Sequence, residues 1–335
     1  MRIRVPFRLW APALVLAWGI TPAYCFVCPA APPAVLQAEG TTSYIDEQRS
    51  VSDPARVREN SRLAAPVKAF EETLARSATA AQEGEAGAAP CVGTLLADWA
   101  RQDALLEPPS NSQGQFIRRW ATAAAAMSFL RAEDGISSAD QDTIEPWLRK
   151  LAEQVGMNPD LAARRRNNHF YWAAFAVGAV GVATEDRALI DDAREAYRNA
   201  LTDIQADGHL PRESGRGIAA WRYHDFSALP LVLLAELGAR IGEDWYDYEN
   251  GALHRLVGFI LEGYRDPDVV AKVSGVAPEI KNLQRRLDWY PIYARRFPER
   301  VKAFQDLGLD QLEYWAPLAG GDMRVLADNW VASPR

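Results

Sequence analysis

The residues best suited to do chemistry are concentrated between Arg164 and Phe226. A first group reads Arg164-Arg165-Arg166-Asn167-Asn168-His169-Phe170-Tyr171-Trp172 and runs straight into the apolar stretch AAFAVGAVGVA. A second reads Asp207-Gly208-His209-Leu210-Pro211-Arg212-Glu213, then Arg216, then Trp221-Arg222-Tyr223-His224-Asp225-Phe226. Guanidinium and amide groups hold anions, whereas imidazole and phenol move protons. Either asparagine alone could be a helix N-cap. A cap does not explain the adjacent His169 or the aromatic run that follows it. For the second group the competing reading is a solvated basic loop. His169, His209, His224 and His254 form no H-E-x-x-H or Cys/His set, so no metal site is expected. G-x-S-x-G and phosphate-cradling glycine loops are absent as well.

These groups need a scaffold, and the spacing of apolar residues says which. From about residue 60 onward they recur every three or four positions, which is the helical period. The spacing predicts helices at 62–81, 92–106, 114–132, 140–155, 168–183, 186–205, 224–242, 250–263, 280–296 and 298–306. Turn signals such as Glu107-Pro108-Pro109, Asn158-Pro159 and Ala206-Asp207-Gly208 separate them. Ala and Leu dominate, and β-branched alternation is nearly absent, so the fold class is all-α, built of antiparallel helical hairpins. Both polar groups then fall at helix ends, where loops carry function on a rigid frame.

The chain has 335 residues, 48% hydrophobic and 24% charged, enough for a large core without a linker between domains. A formal charge of −7 disfavours generic nucleic-acid binding. Residues 1–25 read as a secretory signal peptide: three arginines, an apolar run too short for a membrane span, then a small-residue end near Cys25. Its removal makes the chain more acidic still. A periplasmic or secreted protein keeps Cys28 and Cys91, an even pair that in an oxidising compartment suggests one disulfide. Residues 26–335 then form a single domain, with an extended Pro-rich arm over about 29–60.

Taken together, NNHFYWA, ADGHLPRE and RGIAAWRYHDF resemble the periplasmic alginate lyases of polysaccharide lyase family five. Ser52-Asp53-Pro54-Ala55-Arg56, Phe116-Ile117-Arg118-Arg119-Trp120, Asn250-Gly251-Ala252-Leu253-His254-Arg255-Leu256 and Leu287-Asp288-Trp289-Tyr290 fit too. The resemblance covers about residues 40–325. It implies an incomplete (α/α) toroid around a cleft and β-elimination on an anionic polyuronate. A monomer without a cofactor or a membrane span is expected.

It further places Asn168 and His169 on the family's carboxylate-binding Asn and catalytic His, and Arg216 and Tyr223 on its catalytic Arg and Tyr. Elimination requires loss of H5, acidic only when the neighbouring carboxylate is neutralised, and protonation of the departing O4. An Asn amide and a guanidinium suit that carboxylate. Tyr223 is a poor base unless Arg216 and Arg222 lower its pKa; it could then take H5 and return the proton to O4. His169 would neutralise the carboxylate or serve the opposite C5 epimer. The expected substrate-binding set is Arg49, Arg118, Arg119, Trp120, Asn167, Tyr171, Trp172, Arg212, Trp221, Arg222 and His224. For Tyr171, Trp172 and Trp221, core packing is the competing role.

The sequence departs from the family in the arm, where Gln48 or Arg49 stands in place of a Lys, and an Arg is not an equivalent cation. That change bears on substrate choice. The alternatives are a glucuronan lyase on the same fold, a binder that does not cut, and hydrolysis by Glu213 and Asp225. The last needs two cleft acids about 5 to 9.5 Å apart.

Overall fold

The computed structural model describes residues 25–155, 166–278 and 287–331, and the signal-peptide reading falls outside them. Among the described residues the architecture is helical, with α1 (Pro54–Gln82), α2 (Ala88–Arg101), α3 (Ser112–Ala132), α4 (Ser138–Val155), α5 (Asn168–Ala183), α6 (Arg187–Leu201), α7 (Ala220–Arg240) and α8 (Tyr248–Arg265) as its frame. Shorter helices follow, among them α9 (Tyr290–Arg296) and α10 (Met323–Trp330), with a two-residue hairpin pairing Trp315–Ala316 antiparallel to Gly321–Asp322. No helix among the described residues is long and apolar enough to cross a membrane.

Packing runs around a ring. α1 lies on α2 and α3, α3 on α5, α5 on both α6 and α7, and α7 on α8. This is the incomplete (α/α) toroid that the resemblance implies, and its centre is α5. That helix is apolar on every side, and thirteen of its sixteen residues are buried. A helix without a polar face can only be stable wrapped by neighbours.

Boundaries follow local chemistry. α1 starts at Pro54, well inside the stretch read as arm, because the Asp53 carboxylate caps the Arg56 amide and Pro54 takes the first helical position. α2 stops at Arg101, short of the expected 106, since Asp103 and Leu105 turn into positive φ. Of the helix expected at 280–296, Tyr290–Arg296 is seen, and residues 279–286 lie outside the described ones. The helix at Asp268–Ser274 carried too short a period to be read. Gly208 is required where it stands: at φ +93°, any Cβ would come within 2.1 Å of the Arg255 carbonyl.

Cys28 and Cys91 are disulfide-bonded and pin the arm to α2. Closing a loop across a sequence separation of 63 is worth about 4 kcal/mol in the chain-entropy model.

Candidate active site

The arm reaches the ring's centre through a tight turn. Tyr44 bridges to Ser52, and the Asp46 carboxylate accepts from the Ser50 and Val51 amides and the Ser50 hydroxyl. This fold-back puts Arg49 in the left-handed region, at φ +56°. Two turn carbonyls point inward: Gln48 O accepts from Arg216 Nη1 at 3.3 Å, and Arg49 O from the Tyr223 hydroxyl at 3.2 Å. Two residues of the second polar group are thereby held under the arm.

The first polar group sits at the start of α5. Asn167 is its N-cap, accepting from the His169 amide at 3.1 Å. Asn168 is buried, and both its backbone N–H (2.8 Å) and its Nδ2 (3.0 Å) donate to one oxygen of Glu213. The other Glu213 oxygen accepts from Arg216 Nε at 3.3 Å. Glu213 is itself 0% exposed. It therefore acts as a clamp, joining the helix start, where unpaired amides favour an anion, to the loop that carries Arg216. Burial raises its pKa, opposed by Arg216 and the two Asn168 donors.

His169 stacks on Phe116 with ring centroids 3.5 Å apart and 7° between planes. Its Nδ1 is buried and has no hydrogen-bond partner among the described residues. Burial, followed by the positive charges of Arg49, Arg119 and Arg216, holds the imidazole pKa well below its usual value. The ring is thus neutral at physiological pH. Arg49 and Arg119 both lie over Phe116, at 5.9 and 5.7 Å from its centroid.

On α7, the Tyr223 ring is flanked by Arg216 at 4.7 Å and Arg222 at 5.3 Å. The sequence reading expects these cations to favour the phenolate. They do not prevail: burial and the neighbouring Tyr44 hydroxyl raise the Tyr223 pKa well above that of a free phenol. Tyr223 is therefore a neutral proton donor. Arg222 Nη2 donates to Tyr44 Oη at 3.3 Å.

Arg49, Trp120, Asn168, His169, Arg222 and Tyr223 line one open cleft of about 430 Å³, together with Tyr44, Asn60, Lys68 and Glu71. Beyond Phe226 and Leu318 a second hollow of similar size is walled by Trp172, Trp289 and Trp315. Among the described residues no group of His, Cys, Asp and Glu could hold a metal ion.

Several expected binding residues stand elsewhere. Arg118 is buried against Gln154 and Gln115, which take its guanidinium donors. Tyr171 points into the core and donates to Asp203, which also pairs with Arg166. Trp221 donates to the Ile260 carbonyl from within the core. His224 accepts from the Leu210 amide at 2.9 Å and donates to the Ala220 carbonyl, so it joins the 207–213 loop to α7. Trp172 is fully buried between Phe175 and Phe226 and lines the second hollow, not this cleft. Arg212 is exposed outside the cleft lining, and Asn167 serves as a cap. The hydrolytic pair dissolves, because Glu213 is the clamp and Asp225 accepts from Trp289 Nε1 and the Leu287 amide.

Comparison with known proteins points one way. The family model described as alginate lyase matches residues 39–270. A polysaccharide lyase of Stenotrophomonas maltophilia (strain K279a) is 35% identical over 308 residues, 91% of this chain and 92% of that protein. An alginate lyase of Cobetia marina is 35% identical over 201 residues, 58% of this chain but 54% of that enzyme. Among solved structures, alginate lyase A1-III from Sphingomonas species A1, in a His→Ala variant complexed with tetrasaccharide, superposes with a TM-score of 0.78 at 25% identity, over 92% of this chain and 86% of that one. An alginate lyase from Bacteroides ovatus, 14% identical, shares the fold at a TM-score of 0.58, over 80% of this chain and 75% of that one.

Proposed function

Because the chain belongs to the alginate lyase family and is a polysaccharide lyase, we propose that it cleaves a β-1,4-linked polyuronate, alginate first, by β-elimination. The observation that carries this reading is the neutral His169 and neutral Tyr223 lining one cleft beside the Asn168–Glu213–Arg216 clamp.

The resting protonation states divide the work. Asn168 Nδ2 keeps one N–H beyond the bond to Glu213, and with Arg216 it binds the uronate carboxylate as its charge grows toward the aci form. His169, stripped of its proton by burial and three cations, takes H5. The electrons of the C5–H bond form the C4–C5 double bond, the C4–O4 bond breaks, and the Tyr223 hydroxyl gives its proton to O4. A route through Tyr223 alone needs a phenolate, which burial and Tyr44 disfavour. Solvent restores both groups by moving the proton from imidazolium to phenolate. Arg49 and Arg222 hold neighbouring carboxylates of the polymer, and Trp120 offers a ring face to a sugar.

A glucuronan is the second substrate, because Gln48 or Arg49 stands in the arm in place of the family's Lys, and an Arg is not an equivalent cation for a carboxylate. The site belongs to a single domain of a periplasmic or secreted monomer. The reading is tested by supplying polymannuronate, polyguluronate and glucuronan separately and following the ultraviolet absorbance of the unsaturated uronate. A rise on one names the substrate; no rise on any refutes the reading.

A further inference from the structure

An acid lines a cleft that, on the reading above, takes a polyanion. Asn60, Ala64, Lys68 and Glu71 recur at four, four and three residues along α1 and present one helical stripe to the cleft. Glu71 is 5% exposed and makes no hydrogen bond or ion pair with any described residue. A charged carboxylate left so would be strongly disfavoured, and a neutral one lacks only a partner for its O–H.

We propose that Glu71 is a specificity-determining residue of the cleft, which as the protonated acid donates a hydrogen bond to a sugar oxygen of the bound polyuronate. The partner absent from the protein is then supplied by substrate. Once ionised, the same group would face an anionic chain and accept instead of donating, so binding would fail.

The remaining charged and titratable groups of the cleft are Lys68 on α1, Tyr44 and Arg49 from the arm, His169 on α5, and Arg222 and Tyr223 on α7. α3 and the 317–319 turn contribute only uncharged side chains to its lining, and the α3 residue Arg131 meets α1 at Thr79, two turns beyond Glu71. Burial raises the Glu71 pKa to about 8, with Lys68 acting in the opposite sense. The switch from donor to repelling anion therefore falls just above neutrality.

The inference rests on the lyase reading and is tested with KM and kcat on the polymer that the enzyme cleaves best, at pH 7 and pH 9. For wild type, KM is expected to rise about tenfold between them, because the competent fraction falls tenfold per pH unit above the pKa. Glu71→Gln keeps the shape and an N–H donor, and its KM is expected to stay within about twofold of the wild-type value at pH 7 and not to rise at pH 9. Glu71→Ala should raise KM at pH 7 by about three- to tenfold, the loss of one hydrogen bond, with kcat unchanged. Lys68→Met should move the alkaline limb to higher pH. A Glu71→Gln variant whose KM climbs with pH in parallel with wild type, or that loses kcat at constant KM, overturns the inference while leaving the lyase reading intact. Absence of cleavage by wild type refutes both.

Discussion

Replacing Glu213 by Gln tests whether the clamp, rather than any single catalytic group, sets the geometry of the site. The amide is isosteric, and its oxygen can still accept from the Asn168 backbone and Nδ2. Its NH2 group, however, then faces Arg216 Nε, now 3.3 Å from an oxygen. One charge-assisted hydrogen bond worth about 1.5–3 kcal/mol is lost, and a donor is set against a donor. Arg216, with a side chain 12% exposed, loses its buried counter-ion and swings toward solvent. Asn168 and Arg216 no longer converge on one carboxylate, and a shift on the order of 1 Å in such a pair costs about 10²-fold in rate. We expect kcat/KM to fall about 10²-fold in initial-rate absorbance assays. The pH profile adds a second readout: burial raises the Glu213 pKa, so the wild-type clamp loosens on its acid side above the ordinary range of a glutamate. The Gln variant lacks that contribution to the acid limb. A variant within threefold of wild type, with unchanged melting, would refute the clamp.

Other consequences are direct. On the proposed elimination, Tyr223→Phe removes the proton given to O4 and should lower kcat by about 10²–10⁴-fold while oligomer binding, read by calorimetry, stays within a few-fold. Cys91→Ser opens the Cys28–Cys91 link and should lower unfolding free energy by about 2–4 kcal/mol in urea titrations. His224 is buried neutral, with its pKa lowered to about 4 by burial. The unfolded chain binds that proton below about 6.5 and the folded one only near 4, so stability is full above 6.5 and drains as pH falls between the two. The loss amounts to about 3 kcal/mol, and a His224→Gln variant should show it much reduced in urea midpoints compared at pH 7.5 and pH 4.

What could be read from sequence depended on how local the determinant was. α5 begins at Asn168 as expected because Asn167 caps it and the apolar run follows directly. The start of α1 carries a local signal, Ser52-Asp53-Pro54, but it sits within a Pro-rich and polar stretch whose composition speaks for an extended arm. The roles of Tyr171, Trp172 and Trp221 could not be assigned by period. α5 is buried on all sides, so its spacing names no inward face, and Trp221 lies beneath α8 through a bond to Ile260. Glu213 was visible as an acid near the site, but its role depends on Asn168, 45 residues earlier. Tyr44, Lys68 and Glu71 enter the cleft only because the arm folds back and α1 lines the ring, contacts without a local signature.

The central claim is that His169 and Tyr223 carry out an elimination. The most direct measurement is product analysis of the cleaved polymer by mass spectrometry alongside ultraviolet absorbance, for wild type, His169→Ala and Tyr223→Phe. Elimination yields oligomers ending in a C4–C5 unsaturated uronate, absorbance rising in step with chain cleavage, and loss of both in either variant. New reducing ends on saturated oligomers, one water heavier and without absorbance, would contradict it.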